Sequence, residues 1–156
     1  MAARLLLLAA TVCAGLVAGV YLFYAHTVLP ALRAAGDTTF VAAYAALDRR
    51  IVNPWFLLTS FLGAPLLAGA ALAVTWGDPA APWVAAALVL HLVTTAVTAI
   101  VHLPRNDRLK ALAGDPASTA AARAALEEHT WVRWNLVRVA TSVGALACVA
   151  WGLTLA

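Results

Sequence analysis

The stretch "PWVAAALVLHLVTTAVTAIVHLP" (82–104) decides the fold. It contains no Asp, Glu, Lys or Arg. A helix needs roughly 20 apolar residues to cross the hydrocarbon core of a bilayer, and this stretch is long enough. Proline is tolerated in the first turn of a helix but disfavours helix in the residue before it. The stretch therefore predicts a membrane-spanning helix over 82–103 that ends at Pro104.

Three other runs of the chain have the same apolar character, at 5–29, 54–76 and 131–155. Only 11% of the 156 residues are charged and 64% are hydrophobic, whereas soluble domains carry about 25% charged residues. This composition excludes a water-soluble domain. We predict a single all-α domain over 1–156, an antiparallel four-helix transmembrane bundle. The first run is longer than the roughly 7–15 residues of a signal-peptide core, which favours a retained span.

The distribution of charge predicts the orientation of the bundle. All charged residues except Arg4 and Asp78 fall in the connections between spans one and two and between spans three and four, or early in span four. Lys and Arg are enriched in cytoplasmic loops, so these connections are predicted to be cytoplasmic and both termini outside. A single lysine beside nine arginines is typical of a GC-rich bacterial genome. The expected location is a bacterial plasma membrane, crossed several times.

Each cytoplasmic connection is predicted to contain a short helix at the membrane interface. In the first connection Asp37 is a candidate N-cap, with Phe40 and Tyr44 at helical spacing after it. In the second, Asp115 is a candidate cap and Pro116 the first helical residue. The second short helix is expected to continue into span four.

Histidines at membrane depth are functional candidates, because an ionisable group there is costly. His26 and His102 are predicted to lie at similar depth near the cytoplasmic mouth, and His129 just before span four. If the three converge near a carboxylate, they suit iron, copper or zinc. No HxxxH, HxxE or ExxH spacing supports such a site. Two alternatives stay open: histidines hydrogen-bonded to backbone or water, and acid–base chemistry on a substrate.

His91 is a separate candidate in the middle of span three. Thr94, Thr95 and Thr98 follow it, so this polar face is predicted to point into the bundle. His91 is either a buried histidine satisfied by a threonine or a carbonyl, or part of the lining of a substrate or proton path.

Three asparagines and an arginine border the spans on the cytoplasmic side. Asn53 precedes span two, Asn106 follows span three, and Asn135 and Arg138 share one face of span four. A ring of amides with one fixed cation can bind and polarise a carbonyl or phenolate oxygen. The alternative is a structural network that ties the inner helix ends together.

Three segments resemble the signature segments of the anthrone-oxygenase-like family. They are "ALDRRIVNPWFLLTSFLGAP" (46–65), "HLPRNDRLKAL" (102–112) and "WVRWNLVRVA" (131–140). The members of this family are small four-helix membrane proteins, mostly without an assigned function, and some are implicated in oxidising anthrones to anthraquinones. The positions that match are Asn53, Pro54, Phe56, Pro104, Asn106, Leu109, Trp134, Asn135 and Arg138. Where many relatives have a histidine after the asparagine of span four, this chain has Leu136.

The resemblance implies an oxygenase that oxidises a flat aromatic or other hydrophobic substrate with molecular oxygen at the cytoplasmic mouth. Asn106, Asn135 and Arg138 would hold the substrate oxygen, and His26 or His102 would remove a proton from carbon. The substrate-binding candidates are Asn53, His91 and Trp134. Such chemistry can proceed without a cofactor, and the variant mechanism uses a metal held by His26, His102 and His129.

The alternative hypothesis is a non-enzymatic membrane protein that binds a lipid, a hydrophobic metabolite or a partner membrane protein. The expected partners are the lipid bilayer and a hydrophobic small molecule, and no nucleic acid. Gly15 and Gly19 in span one, and Gly144 and Gly152 in span four, allow backbones to approach closely. These glycine stripes serve packing inside the bundle or a homodimer interface.

Overall fold

The computed structural model describes every residue from Met1 to Ala156, and all of its regular structure is helical. Four helices are long and apolar enough to cross a membrane, which confirms the predicted all-α class with four such helices. The helices are α1 (Ala2–Ala34), α2 (Asp37–Ile51), α3 (Pro54–Val74), α4 (Ala81–Leu112), α5 (Thr119–Ala125) and α6 (Glu128–Leu155). The four long ones are α1, α3, α4 and α6.

Three of the long helices contain one π-helical turn each, at Tyr24–Val28 in α1, Leu57–Phe61 in α3 and Thr98–His102 in α4. The turns in α1 and α4 come just before Pro30 and Pro104. A proline lacks an N–H and clashes with the preceding turn, and a wider turn relieves both problems. The helices therefore continue through their prolines, to Ala34 and Leu112. The prediction that Pro104 ends its helix is wrong.

The π turn of α3 explains why a glycine follows it. The Leu62 N–H donates to the Leu57 carbonyl, 2.8 Å away, which leaves the Leu58 carbonyl close to the next turn. A Cβ at Gly63 would lie 2.1 Å from the Leu58 oxygen, closer than any real contact. Only glycine fits at this position.

Small residues fill the core between the long helices. One cluster joins Leu7 and Ala14 of α1, Ala71 of α3, Ala87 of α4 and Ala145 of α6. A Cβ at Gly15 would contact Leu146, one at Gly144 would contact Leu90, and one at Gly152 would contact Val84. Three of the four stripe glycines thus lie at contacts between helices of the same chain. Their use in a homodimer stays a prediction.

The contacts between α6 and its neighbours fix which helix ends meet. Arg4 near the start of α1 donates to the Ala156 carbonyl at 2.7 Å, and Asn135 near the start of α6 donates to the Tyr21 carbonyl at 3.3 Å. Residue numbers therefore rise along one helix as they fall along the other.

Helices α2 and α5 cover the end of the bundle where α6 begins, which we call the covered end. Phe40 and Tyr44 of α2, Leu109 of α4, Leu126 after α5 and Trp131 of α6 belong to one buried cluster there. The predicted helix in the first connection is confirmed, although Asp37 is its first residue and Gly36 its N-cap. The position of α2 and α5 at a cytoplasmic membrane surface stays a prediction.

The second connection differs from its prediction. The Asp115 side chain does cap a 3₁₀ turn, Pro116–Ser118, by accepting from the Ala117 N–H. However, α5 does not continue into α6, because the backbone of Glu127 has a φ of 49° and breaks the helix. The Glu127 carboxylate meets Arg105 at 2.6 Å and Arg108 at 3.1 Å, so two ion pairs hold this left-handed residue in place.

Candidate functional site

A cavity of about 200 Å³ lies where the long helices meet the covered end. The π turns of α1, α3 and α4 all contribute to its lining, and such turns are frequent at functional sites. Its buried polar lining residues are Tyr21, Tyr44, Asp48, Thr98, Asn106 and Arg138, and Tyr24 is half-buried. Its exposed lining residues are apolar: Val52 is 58% exposed and Leu103 is 43% exposed. The cavity thus has a polar interior and an apolar rim.

Arg138 is the cation of this cavity, and it is 6% exposed. Its Nη2 donates to Asn135 Oδ1 at 2.7 Å and its Nη1 to Thr98 Oγ1 at 3.4 Å. Arg138 forms no salt bridge, and its Nε is buried without a hydrogen-bond partner. A buried charge without a counterion is costly. The rings of Tyr21 and Trp131, 4.4 and 5.2 Å from the guanidinium carbon, offset part of this cost.

A second buried polar atom in the cavity wall also lacks a partner. The Tyr21 hydroxyl makes no hydrogen bond, although Thr98 and Arg138 lie near it. Buried polar groups are nearly always paired, with protein, ligand or water, so these two groups are available to a ligand that enters the cavity. A guanidinium N–H and a phenol O–H are both donors, and together they suit an oxygen atom that carries negative charge.

Asn106 also lines the cavity, and it forms hydrogen bonds with three other side chains. Its Oδ1 accepts from the Tyr44 hydroxyl at 2.8 Å and from Trp131 Nε1 at 3.0 Å, and its Nδ2 donates to Asp48 Oδ1 at 2.6 Å. Asp48 Oδ2 lies 2.7 Å from Lys110 Nζ. Burial, and then the negative charge of Asp48, raise the pKa of Tyr44 well above its ordinary value, so Tyr44 remains a donor.

The three histidines proposed as metal ligands do not converge, and that prediction is wrong. His26 is exposed and its Nδ1 lies 2.6 Å from Thr27 Oγ1. His129 is exposed as well. His102 is fully buried behind Trp131, with its two ring nitrogens 3.3 Å from the carbonyls of Val97 and Trp131. No group of three His, Cys, Asp or Glu side chains suited to a metal ion occurs in the structure.

The remaining predicted residues lie outside the cavity wall. Asn53 is the N-cap of α3, where its Oδ1 accepts from the Phe56 N–H at 2.9 Å. His91 is buried in α4 but does not line the cavity, and Trp134 is 41% exposed. Leu136 is 54% exposed, so a histidine at this position would also point away from the cavity. Of the predicted residues, Asn106 and Arg138 line the cavity, and Asn135 supports Arg138 from behind.

Sequence reasoning missed several residues of the wall, and helical spacing was the available signal for most of them. Trp131 precedes Asn135 by four positions and Arg138 by seven, which places the three on one face of α6. Tyr44 and Asp48 have the same spacing on α2. Thr98 belongs to the polar face of span three that was predicted to point into the bundle, and it does line the cavity. Tyr21 carries no such signal, because most other residues of its span are apolar.

Comparison with known proteins gives one match. The model of a family described as Anthrone oxygenase matches residues 21–148, which include every residue of the cavity wall named above. No curated protein and no solved structure matches the chain.

Proposed function

Because the chain belongs to the anthrone oxygenase family, we propose that it oxidises a flat aromatic substrate of the anthrone type with molecular oxygen in the cavity beside Arg138. The observation that supports this most directly is the buried Arg138 guanidinium, which has no carboxylate partner and lies next to the unpaired Tyr21 hydroxyl. Both groups line the same cavity, whose rim and remaining lining are mostly apolar. A planar aromatic body with one oxygen that becomes negative fits that combination.

The chemistry follows from the acidity of an anthrone. The ring carbon opposite the carbonyl loses a proton readily, because the resulting anion is fully aromatic and its charge resides on oxygen. Arg138 would hold that oxygen and stabilise the charge as it develops. The electron-rich carbon then reduces O₂: one oxygen atom becomes a new carbonyl on that carbon, and the other leaves with the two hydrogens as water. Anthrone and O₂ thus yield anthraquinone and water, and the substrate supplies all the electrons.

The rim of the cavity supports entry of the substrate from the membrane. Val52 and Leu103 are apolar and exposed, and Phe56 lies beside them in the lining. A hydrophobic three-ring molecule partitions into the bilayer. At a rim without charged side chains it stays in contact with apolar groups, so entry does not expose its apolar surface to water. The polar wall at the far side then orients the substrate by its oxygen.

The test is turnover by purified protein in lipid nanodiscs, followed by oxygen uptake and by anthraquinone absorbance. Removing one donor that stabilises an anionic transition state typically costs about 10²–10³-fold in kcat, and we expect this loss for Arg138→Ala. Arg133→Ala is the matched control, because Arg133 lies on the same helix, is exposed and makes no salt bridge. Full activity of Arg138→Ala would overturn the role of Arg138. Anthraquinone binding without any turnover by the unaltered protein would favour the non-enzymatic alternative, a binder of hydrophobic metabolites.

A further inference from the structure

Asp48 is the only carboxylate that lines the cavity, and no histidine lines it. We propose that Asp48 is the base that takes the proton from the substrate carbon, an assignment that rests on the proposed function. The base expected from sequence was His26 or His102, but His26 is exposed and His102 is sealed behind Trp131. Asp48 and Arg138 line the same cavity.

The surroundings of Asp48 fix its orientation. Both acceptor positions of Asn106 Oδ1 are taken by the Tyr44 hydroxyl and by Trp131 Nε1, so the carboxamide cannot turn over. Its Nδ2 must therefore point at Asp48 Oδ1, 2.6 Å away. Asn106 is a positioning residue in this scheme.

Lys110 pairs with Asp48 inside the protein and with a second carboxylate near the surface. Its Nζ lies 2.7 Å from Asp48 Oδ2 and 2.9 Å from Asp107 Oδ1. The Asp107 side chain is 68% exposed, whereas that of Asp48 is 11% exposed. In this scheme the Asp48 carboxylate is the proton acceptor, and the ammonium group of Lys110 is its counterion.

The charges around the cavity favour transfer of a proton to a carboxylate over transfer to a neutral base. Arg138 of α6 and Lys110 of α4 are cations that interact with Asp48, and Tyr24 of α1 and Tyr44 of α2 are phenols that do so. When Asp48 takes the proton, negative charge disappears there and appears on the substrate oxygen beside Arg138. The total charge inside the cavity stays constant, so no new ion pair is created in a low-dielectric space.

Asp48 accepts and returns each proton during the reaction, so it ends in the state in which it began. The substrate anion adds O₂ and forms a peroxide anion on carbon, which takes the proton back from Asp48. Asp48 then removes the second proton from the same carbon while the O–O bond breaks and the carbonyl forms. The departing hydroxide takes this proton and leaves as water, and Asp48 is a carboxylate again.

The test separates proton transfer from oxidation by leaving oxygen out. Under anaerobic conditions the protein is mixed with anthrone, and the visible absorption of the bound anthrone anion is recorded. We expect the unaltered protein and Asp78→Asn to form the anion, and Asp48→Asn to form at least tenfold less. Asp78 is the matched control because it is exposed and does not line the cavity. At a pH high enough to ionise anthrone in solution, Asp48→Asn should bind the ready-made anion and show its absorption. In air at the same pH, Asp48→Asn should also regain turnover. Deuterium at the reacting carbon should slow anion formation by the unaltered protein.

Binding of anthraquinone, which has no acidic C–H, shows whether the cavity of each variant is intact. The double variant Asp48→Asn/Lys110→Gln repeats the test without an unpaired ammonium group. If either variant forms the anion as fast as the unaltered protein does, Asp48 is not the base. The same conclusion follows if the unaltered protein binds anthraquinone but forms no anthrone anion. If the anion forms through Asp48 and is never oxidised in air, the base assignment stands and the proposed oxygenase function fails.

Discussion

The guanidinium of Arg138 lies over the ring of Tyr21, 4.4 Å from its centroid, while the hydroxyl of the same tyrosine is buried without a partner. The face of Tyr21 therefore serves the protein by stabilising a buried cation, and its hydroxyl remains free for a ligand. These two parts of one side chain can be separated by substitution.

Tyr21→Phe keeps the ring under Arg138 and removes only the hydroxyl. Because that hydroxyl is buried and unpaired, we expect the free energy of unfolding to change by less than about 1 kcal/mol. Binding of anthraquinone should weaken by about the value of one hydrogen bond, roughly 3–10-fold. Thermal unfolding and binding calorimetry measure the two effects. Tyr44→Phe is the contrasting variant, since its hydroxyl donates to Asn106 and its loss should cost about 1–3 kcal/mol. Equal stability losses in the two variants would show that the Tyr21 hydroxyl has a partner after all.

Asn106→Ala should destabilise the protein more than Asn53→Ala does. The change leaves the Tyr44 hydroxyl, Trp131 Nε1 and Asp48 Oδ1 without their shared partner. We expect a loss of about 2–4 kcal/mol in the free energy of unfolding. Asn53→Ala removes only a helix cap and should cost about 1 kcal/mol, with turnover retained. If denaturation shows Asn53→Ala to be the less stable variant, Asn106 does not hold the covered end together.

The sequence sufficed for the four long helices and for the two lining residues Asn106 and Arg138. The apolar runs exceed the length of a bilayer, and a polar residue inside such a run stands out. Asp48 does not stand out, because its place in the sequence is among the charges of a connection. Its inward direction depends on how α2 packs against α4 and α6, which is a tertiary property that residue spacing does not contain.

The histidine prediction failed for a local reason. The number of residues before each proline indicates how deep a histidine lies along its helix. The direction of its side chain depends in addition on a helical period of 3.6 residues per turn that is not interrupted. His26 lies within a π turn and His102 ends another. A π turn inserts one residue and rotates the rest of the helix by roughly 100°, so equal depth did not put the two rings on facing surfaces. The sequence shows the prolines that accompany two of these turns but not the turns themselves.

Removal of the outer histidines should leave the protein unchanged. His26 and His129 are exposed, and neither lines the cavity. We therefore expect His26→Ala and His129→Ala to keep the turnover, and any metal content, of the unaltered protein. Elemental analysis and oxygen uptake measure both. If either variant loses bound metal that the unaltered protein holds, the histidines do form a metal site, contrary to their positions in the structure.

Gly63→Ala should damage α3, whereas Gly69→Ala on the same helix should not. A Cβ at Gly63 would lie 2.1 Å from the Leu58 oxygen, while one at Gly69 would have no neighbour within 4 Å. Overpacking against backbone costs about 3 kcal/mol or more when nothing can move aside. The Gly69 change should be neutral or stabilise the helix by up to about 1 kcal/mol. Thermal unfolding of the pair in matched detergent measures the difference, and similar melting temperatures would mean that the π turn rearranges to admit the methyl group.

Narrowing the apolar rim should hinder substrate entry without changing the chemistry. Val52 is exposed at the rim, so Val52→Trp places a large ring there while Asp48, Asn106 and Arg138 stay in position. We expect kcat/KM for a membrane-dissolved anthrone to fall about tenfold and the rate at saturation to change little, because slower access acts before the chemical step. Leu58→Trp is the matched control, since Leu58 is 68% exposed and does not line the cavity.

At fixed total substrate, adding lipid should lower the rate of the unaltered protein, because entry from the bilayer depends on substrate concentration within the lipid. The entrance lies elsewhere if the rate follows the substrate concentration in water and Val52→Trp is as active as Leu58→Trp.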